Sequence, residues 1–164
     1  MCEYSHAFVD KKGEPILIKT LDERMEQGLI DMYLAYQPRD SFEGLPPIKD
    51  EACAEWVRGM IRNGVNLVAL CSAGCIAGHA AIFPIDRERC ELLMVVAPQF
   101  QDSGIGTELA RSSVHLAREL GFEQAWLSVE AHNARARHVY KKCGFNCLSV
   151  QDRRDVEMAL NLKQ

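Results

Sequence analysis

Apolar and polar positions alternate from Pro15 to Thr20, which predicts a short strand entered through the turn Lys11-Lys12-Gly13-Glu14. The period then lengthens. Met25, Leu29, Met32 and Tyr33 recur at helical spacing, so a helix capped by Asp22 is expected to run to about Tyr36. Beyond a loop from Pro38 to Pro47, Ala54, Val57 and Ile61 mark a second helix over Asp50 to Arg62, stopped by Asn63-Gly64. Asn66 to Cys71 and Cys75 to Pro84 read as two strands joined by the tight turn Ser72-Ala73-Gly74. Asp86 to Arg89 turns again, into a strand over Glu91 to Val96.

From there the pattern becomes helix, strand, helix. Gly104 to Leu120 is expected to be helical and to close at Gly121, Glu123 to Val129 to be a strand, and Asn133 to Cys143 to be a helix closing at Gly144. Asn146 to Gln151 and Val156 to Leu162 then form a hairpin around Asp152-Arg153-Arg154-Asp155. Antiparallel strands followed by a strand–helix–strand unit predict an α/β (α+β) fold, a mixed, mostly antiparallel central sheet flanked by helices. At 164 residues, with no linker, internal repeat or low-complexity tract, residues 1–164 read as one domain.

Composition narrows the functional classes. A net charge of −4 argues against nucleic acid as the main partner. No apolar run is long enough for a membrane span, and the first residues lack the apolar core of a signal peptide, so a cytoplasmic location away from membranes is expected. Residues 1–97 hold fifteen acids against ten Lys and Arg, a balance of −5, whereas residues 98–164 hold eight against nine, a balance of +1. An acidic front half suits a cationic substrate, although an ordinary solvated surface gives the same numbers. Seven cysteines, an odd count without dense spacing, read as reduced thiols. A four-thiolate zinc site from Cys71, Cys75, Cys143 and Cys147 is disfavoured by their three-residue intervals, and no metal is expected.

The chemistry concentrates in two segments. The strand ending Val95-Val96 leads through Gln101-Asp102-Ser103-Gly104-Ile105-Gly106-Thr107 into a helix, a turn whose backbone N–H groups and helix dipole suit a pyrophosphate. The third glycine of a dinucleotide fingerprint is replaced by Leu109, and the Gly-Lys-Ser/Thr of a Walker A loop is absent. In the second segment Asn133 can cap its helix, and Tyr140 lies on a face that can look back at the turn.

Gln101-Asp102-Ser103-Gly104-Ile105-Gly106, followed by Asn133, Ala136, Tyr140, Gly144 and Phe145, resembles the two cofactor motifs of the Gcn5-related N-acetyltransferase superfamily. The resemblance implies the family fold and direct transfer of acetyl from acetyl-coenzyme A to a primary amine. It also implies roles. Backbone groups of Gln101 to Thr107 would hold the pyrophosphate, and Val95 and Val96 would pair with the pantetheine arm and offer an N–H to the thioester oxygen. Asn133 and Ala136 would border the cofactor, and Tyr140 would act as general acid beside its sulfur.

The catalytic base is expected to be Glu91, with His79, His132 and His138 as alternatives of suitable pKa. Arg135, Arg137, Lys141 and Lys142 form a solvated basic face from which one or more would reach the adenosine phosphate. The acceptor, a small molecule or a protein amine, would be shaped by Asp22 to Arg62, with Tyr36 to Pro47 as the variable wall. Homodimerisation is left open. The competing classes are a non-catalytic acyl-coenzyme A sensor and another nucleotide-binding protein.

Overall fold

The computed structural model describes residues 2–148 and 154–163. Eight strands form one sheet in the order β1-β2-β3-β4-β5-β6-β8-β7. They are β1 (Ser5–Val9), β2 (Pro15–Thr20), β3 (Val65–Cys71), β4 (Ile76–Pro84), β5 (Arg89–Val96), β6 (Gln124–Glu130), β7 (Asn146–Cys147) and β8 (Asp155–Asn161). The helices are α1 (Glu26–Leu34), α2 (Asp50–Asn63), α3 (Ile105–Glu119) and α4 (Ala134–Lys142). Every strand pair is antiparallel except β5–β6. The mixed, mostly antiparallel sheet expected from the sequence is therefore observed. The β1 strand was not anticipated; of the closing hairpin, β7 covers Asn146–Cys147 and Asp155, expected in the turn, opens β8, while Ser149 to Arg153 lie outside the described residues.

The sheet separates two apolar layers. On one face Leu29, Ile30, Tyr33, Cys53, Val57 and Met60 of α1 and α2 pack on Val68 and Val95. On the other, Ile105, Leu109, Val114 and Leu116 of α3 pack on the strands with Tyr140 and Phe145. Alternation along β5 divides its side chains between these layers: Leu93 and Val95 go to the first, and Cys90, Leu92, Met94 and Val96 to the second.

At the β3–β4 turn the structure corrects the expectation that every thiol is reduced. Cys71 N–H donates to Cys75 O and Gly74 N–H donates to Cys71 O, both at 2.9 Å, with Gly74 at φ +83°. This closed turn brings the Cα atoms of Cys71 and Cys75 to 5.5 Å, within reach of a bridge, and the two are disulfide-bonded. Cys2, Cys53, Cys90, Cys143 and Cys147 are free. Among the described residues no helix is long and apolar enough to cross a membrane.

His79, an alternative base from the sequence, belongs to the core instead. It is 0% exposed; Tyr33 Oη lies 2.7 Å from its Nδ1 and Asn66 Oδ1 2.8 Å from its Nε2. Asn66 Nδ2 donates to Met60 O and Gly64 O, which leaves Oδ1 as an acceptor and fixes the proton of the neutral imidazole on Nε2. Nδ1 then accepts from Tyr33. Burial holds this imidazole neutral, with its pKa lowered to about 3.

The unfolded chain takes up the proton below about pH 6.5 while the folded protein resists it down to about 3. The contribution of His79 is therefore complete above pH 6.5 and is lost as pH falls through that window, by at most about 1.4 kcal/mol per unit. Denaturant unfolding between pH 7 and 5 should show a shallower loss of stability for His79→Gln than for the parent. Tyr33→Phe, which leaves Nδ1 without its donor, should lower stability at pH 7 by about 1–3 kcal/mol.

Candidate active site

β5 and β6 pair only at Arg89–Gln124, Cys90–Ala125 and Glu91–Trp126, and then part. The β4–β5 register is unbroken, and Ala97 N–H donates to Ala77 O while Ile85 N–H donates to Arg89 O, both at 2.9 Å. In an antiparallel ladder this parity gives the backbone groups of Glu91, Leu93 and Val95 to β4 and turns those of Met94 and Val96 toward the gap. Of the expected pair Val95 and Val96, only Val96 faces the opening; Met94 is the second residue that does. Val96 O accepts from Gln101 Nε2 at 3.1 Å.

The gap leads to the N-terminus of α3. Asp102 and Gly104 adopt left-handed backbone, at φ +60° and +90°, and Gly104 stands at the helix cap with no side chain to satisfy the first turn. Glu108 N–H is the first to bond back, to Gly104 O. The N–H groups of Ile105, Gly106 and Thr107 are thus left for an outside acceptor, at the positive end of a fifteen-residue helix. Ser103 and Ile105 themselves are buried and anchor the turn, Ser103 Oγ donating to Phe100 O.

A Cβ placed on Gly106 would meet only Val96 Cγ2 at 3.6 Å and Met94 Cε at 3.8 Å, ordinary contacts. The space beside it belongs to the cleft. Arg135 of α4 reaches across, its Nε 3.0 Å from Asp102 Oδ1 and its Nη1 donating to Gln101 Oε1. Lys11, read from the sequence only as part of a turn, arrives from the β1–β2 connection. Its N–H donates to Ser103 O at 2.9 Å, and its side chain passes within 3.5–3.9 Å of the Cβ position of Gly104. Asp10 Oδ1, accepting from the N–H groups of Lys12 and Glu14, shapes that turn. The sequence shows the turn, but its docking on the cradle is a tertiary contact.

Asn133 caps α4, its Oδ1 accepting from Ala136 N–H at 3.1 Å. Two turns later Tyr140 is 7% exposed, packed edge-on against Phe145, and its hydroxyl has no hydrogen-bond partner among the described residues. It lines a cleft of about 800 Å³ together with Met94, Val96, Gly106, Asn133 and Ala136. Burial, with the nearby Cys143 and Glu43, raises its pKa, so the hydroxyl keeps its proton at neutral pH.

Glu91 enters the same cleft at the point of divergence. Burial, and then the charge of Glu43, push its carboxyl above the ordinary range. Glu43, also missing from the candidate residues, sits on the loop between α1 and α2. Ser128 Oγ donates to its Oε1 at 2.7 Å, and its own N–H donates to the Glu130 carboxylate. Its pKa is raised by burial, and further by Asp155 and Glu130, against the Ser128 hydrogen bond.

Of the other histidines, His132 is an exposed partner of Glu130 at 3.0 Å, and His138 borders the cleft from the exposed side of α4. Arg137 Nη1 turns back to Ala131 O, and Lys141 lies outside the cleft; Lys142 borders it. No cluster of three metal-ligating side chains occurs among the described residues.

The diverging strand pair and the uncapped helix N-terminus together form an open cleft, and the comparisons with known proteins give the class of the chain. Residues 29–145 match the family model described as the acetyltransferase (GNAT) family, and the chain belongs to that family. It is 38% identical over 82 residues to streptothricin acetyltransferase of Streptomyces lavendulae, covering 49% of this chain and 43% of the relative. Mycothiol acetyltransferase of Propionibacterium freudenreichii is 36% identical over 88 residues, 51% of this chain and 28% of that one. The chain therefore spans less than half the length of these curated relatives.

The GNAT domain of S. lividans PAT superposes with a TM-score of 0.79 at 14% identity, covering 96% of both chains. The Salmonella typhimurium protein yncA, solved with acetyl-CoA, superposes at 0.72 and 18% identity, over 91% of this chain and 95% of that one. At these identities the superpositions establish the fold.

The two glycines of the turn should respond oppositely to alanine. Gly104→Ala forces a Cβ into left-handed backbone and should cost roughly 1–2 kcal/mol in denaturant unfolding. Gly106→Ala, helical and uncrowded, should leave stability unchanged or raise it by up to about 1 kcal/mol.

Proposed function

We propose that this protein transfers an acetyl group from acetyl-coenzyme A to a primary amine, by direct attack within one ternary complex. The observation that carries the reading is the passage between β5 and β6. The uncapped α3 N-terminus and Tyr140 stand on one side of the sheet, and Glu91 stands among carboxylates on the other. The acetyltransferase names of the relatives and the acetyl-CoA in a neighbour of the same fold support it.

The site residues fit such a cofactor. The unbonded N–H groups of Ile105 to Thr107 are acceptors' partners with a helix dipole behind them, and Lys11 and Arg135 bring positive charge to the same turn. The free side of Gly106 admits a group that a side chain would displace. When bound, acetyl-coenzyme A supplies an activated thioester. Met94 and Val96, whose N–H groups face the gap, can pair with an extended arm and polarise a carbonyl.

The residues then have two unequal tasks. An alkylammonium of pKa about 10.4 is neutral in roughly one molecule in 2,500 at pH 7, so exposing its lone pair takes about 4.6 kcal/mol. Glu91, partly buried at the gap, receives that proton directly or through water. A leaving thiolate of conjugate pKa about 8.5 gains at most about 2 kcal/mol from protonation at pH 7. Tyr140 serves this lesser need, its proton retained by burial and its hydroxyl free to donate.

Two measurements test the assignment. Tyr140→Phe removes one oxygen from a ring that otherwise packs as before, so coenzyme A affinity should hold while kcat falls on the order of 30-fold. Full turnover would remove the acid role, and unchanged kcat with lost affinity would make the ring a packing element. Glu91→Gln should lower kcat/KM by roughly 100-fold or more. In the parent enzyme kcat/KM should rise with pH through the upshifted carboxyl of Glu91, and this acidic limb should vanish in the variant.

A further inference from the structure

The loop between α1 and α2 is fastened at both ends. At its base Arg39, largely buried, donates to Leu34 O at 2.6 Å and to Asp50 Oδ1, Pro47 O and Ile48 O at 3.1 Å each. At its tip Phe42 packs edge-on against Tyr36 with ring centres 5.6 Å apart, and Glu43 is held by Ser128 and Glu130 of β6. Glu43, still exposed to water, is thereby held at the rim of the cleft.

Glu91, Ser128 and Glu130 stand on the sheet face that this loop covers: Trp126, Ser128 and Glu130 alternate with the buried Ala125, Leu127 and Val129, and Glu91 pairs with Trp126. Glu43, in addition to Glu91, therefore borders the space an acceptor would occupy, whereas Glu130 already has His132 3.0 Å away and accepts the Glu43 N–H. Tyr140, 7% exposed as a residue and with no hydrogen-bond partner for its hydroxyl among the described residues, lines the same cleft. One carboxylate suffices to take the proton of the reacting ammonium. Once that proton has left, the amine is neutral and no longer balances Glu43. A charge that persists through the attack must come from elsewhere on the acceptor.

We propose that Glu43 is a specificity-determining residue that selects acceptors carrying a second ammonium a few bonds from the amine that reacts. This rests on the acetyl-transfer reading for the identity of the reacting amine, but the charge recognition is separable from it. Glu43→Gln keeps an acceptor oxygen for Ser128 Oγ and the backbone bond to Glu130, so it removes the charge while preserving the loop's attachment.

The test compares 1,4-diaminobutane with butylamine. Each is titrated calorimetrically into the protein saturated with coenzyme A, and acetylation of each is followed with acetyl-coenzyme A. The parent protein should bind the diamine about tenfold more tightly than the monoamine, and Glu43→Gln should bring that ratio close to one. Equal binding of the two amines by the parent, no binding of either, or a ratio that survives Glu43→Gln overturns the proposal. Selective diamine binding without acetylated product would retire the transfer reading and leave the Glu43 site standing. Acetylation without diamine selectivity would do the reverse.

Discussion

Three ladder pairs hold β5 to β6, and the fourth is missing. A parallel pair that continued would satisfy the backbone of Met94 and Val96 and seal the sheet. Because it stops, backbone donors and acceptors are left at an internal edge, the two faces of the sheet communicate, and α3 can present its N-terminus to the opening. The unfilled edge is tolerated only because the flanking layers are complete: α1 and α2 bury Val95 on one face, and α3 buries Leu92 and packs on Met94 on the other. Cleft and core are thus two consequences of one divergence.

Charge is sorted along that cleft. Lys11, Arg135 and the α3 dipole gather where an anion would sit, whereas Glu43, Glu91 and Glu130 gather on the opposite face. The elements that bring these groups are far apart in the chain: a hairpin turn near the start, a loop in the middle, and two strand–helix junctions near the end. The sorting does not follow the two halves of the sequence, since Lys11 comes from the first and Glu130 from the second, and many surface charges are in local pairs such as Arg89–Asp86 and Arg62–Glu55, each worth little on its own.

Histidine illustrates how environment overrides residue type. An imidazole beside a candidate site invites a catalytic reading, and three histidines, His79 on β4, His132 in a turn and His138 on α4, were candidates here. His79 is neutral because Tyr33 and Asn66 consume both of its nitrogens in a dry layer, and His132 is a surface partner of Glu130. The carboxylates behave in the opposite manner: burial raises both Glu43 and Glu91, with Asp155 and Glu130 adding to the first and Glu43 to the second.

Local order was legible in the sequence wherever a short-range signal determines it. The periods that place β2 to β6 and α1 to α4 survive in the structure, as do the cap at Asn133 and the stops at Gly121 and Gly144, but Asp22 caps a short 3-10 turn, Glu23–Met25, and α1 itself begins at Glu26 without a side-chain cap and ends at Leu34. The turn from Gln101 to Thr107 was equally readable, because the left-handed backbone at Gly104 favours glycine. What remained hidden depends on pairs distant in sequence. The parity that turns Val96 but not Val95 toward the gap comes from the β4–β5 register. The disulfide requires the closed geometry of a hairpin turn, and Lys11 and Glu43 become site residues only by docking on Ser103 and Ser128. The sequence by itself determined the elements and the anion-receptive turn, since these follow from steric and hydrogen-bonding preferences within a few residues. Tertiary structure decided which side chains meet in the cleft, because that depends on strand register and on loops packing across the sheet.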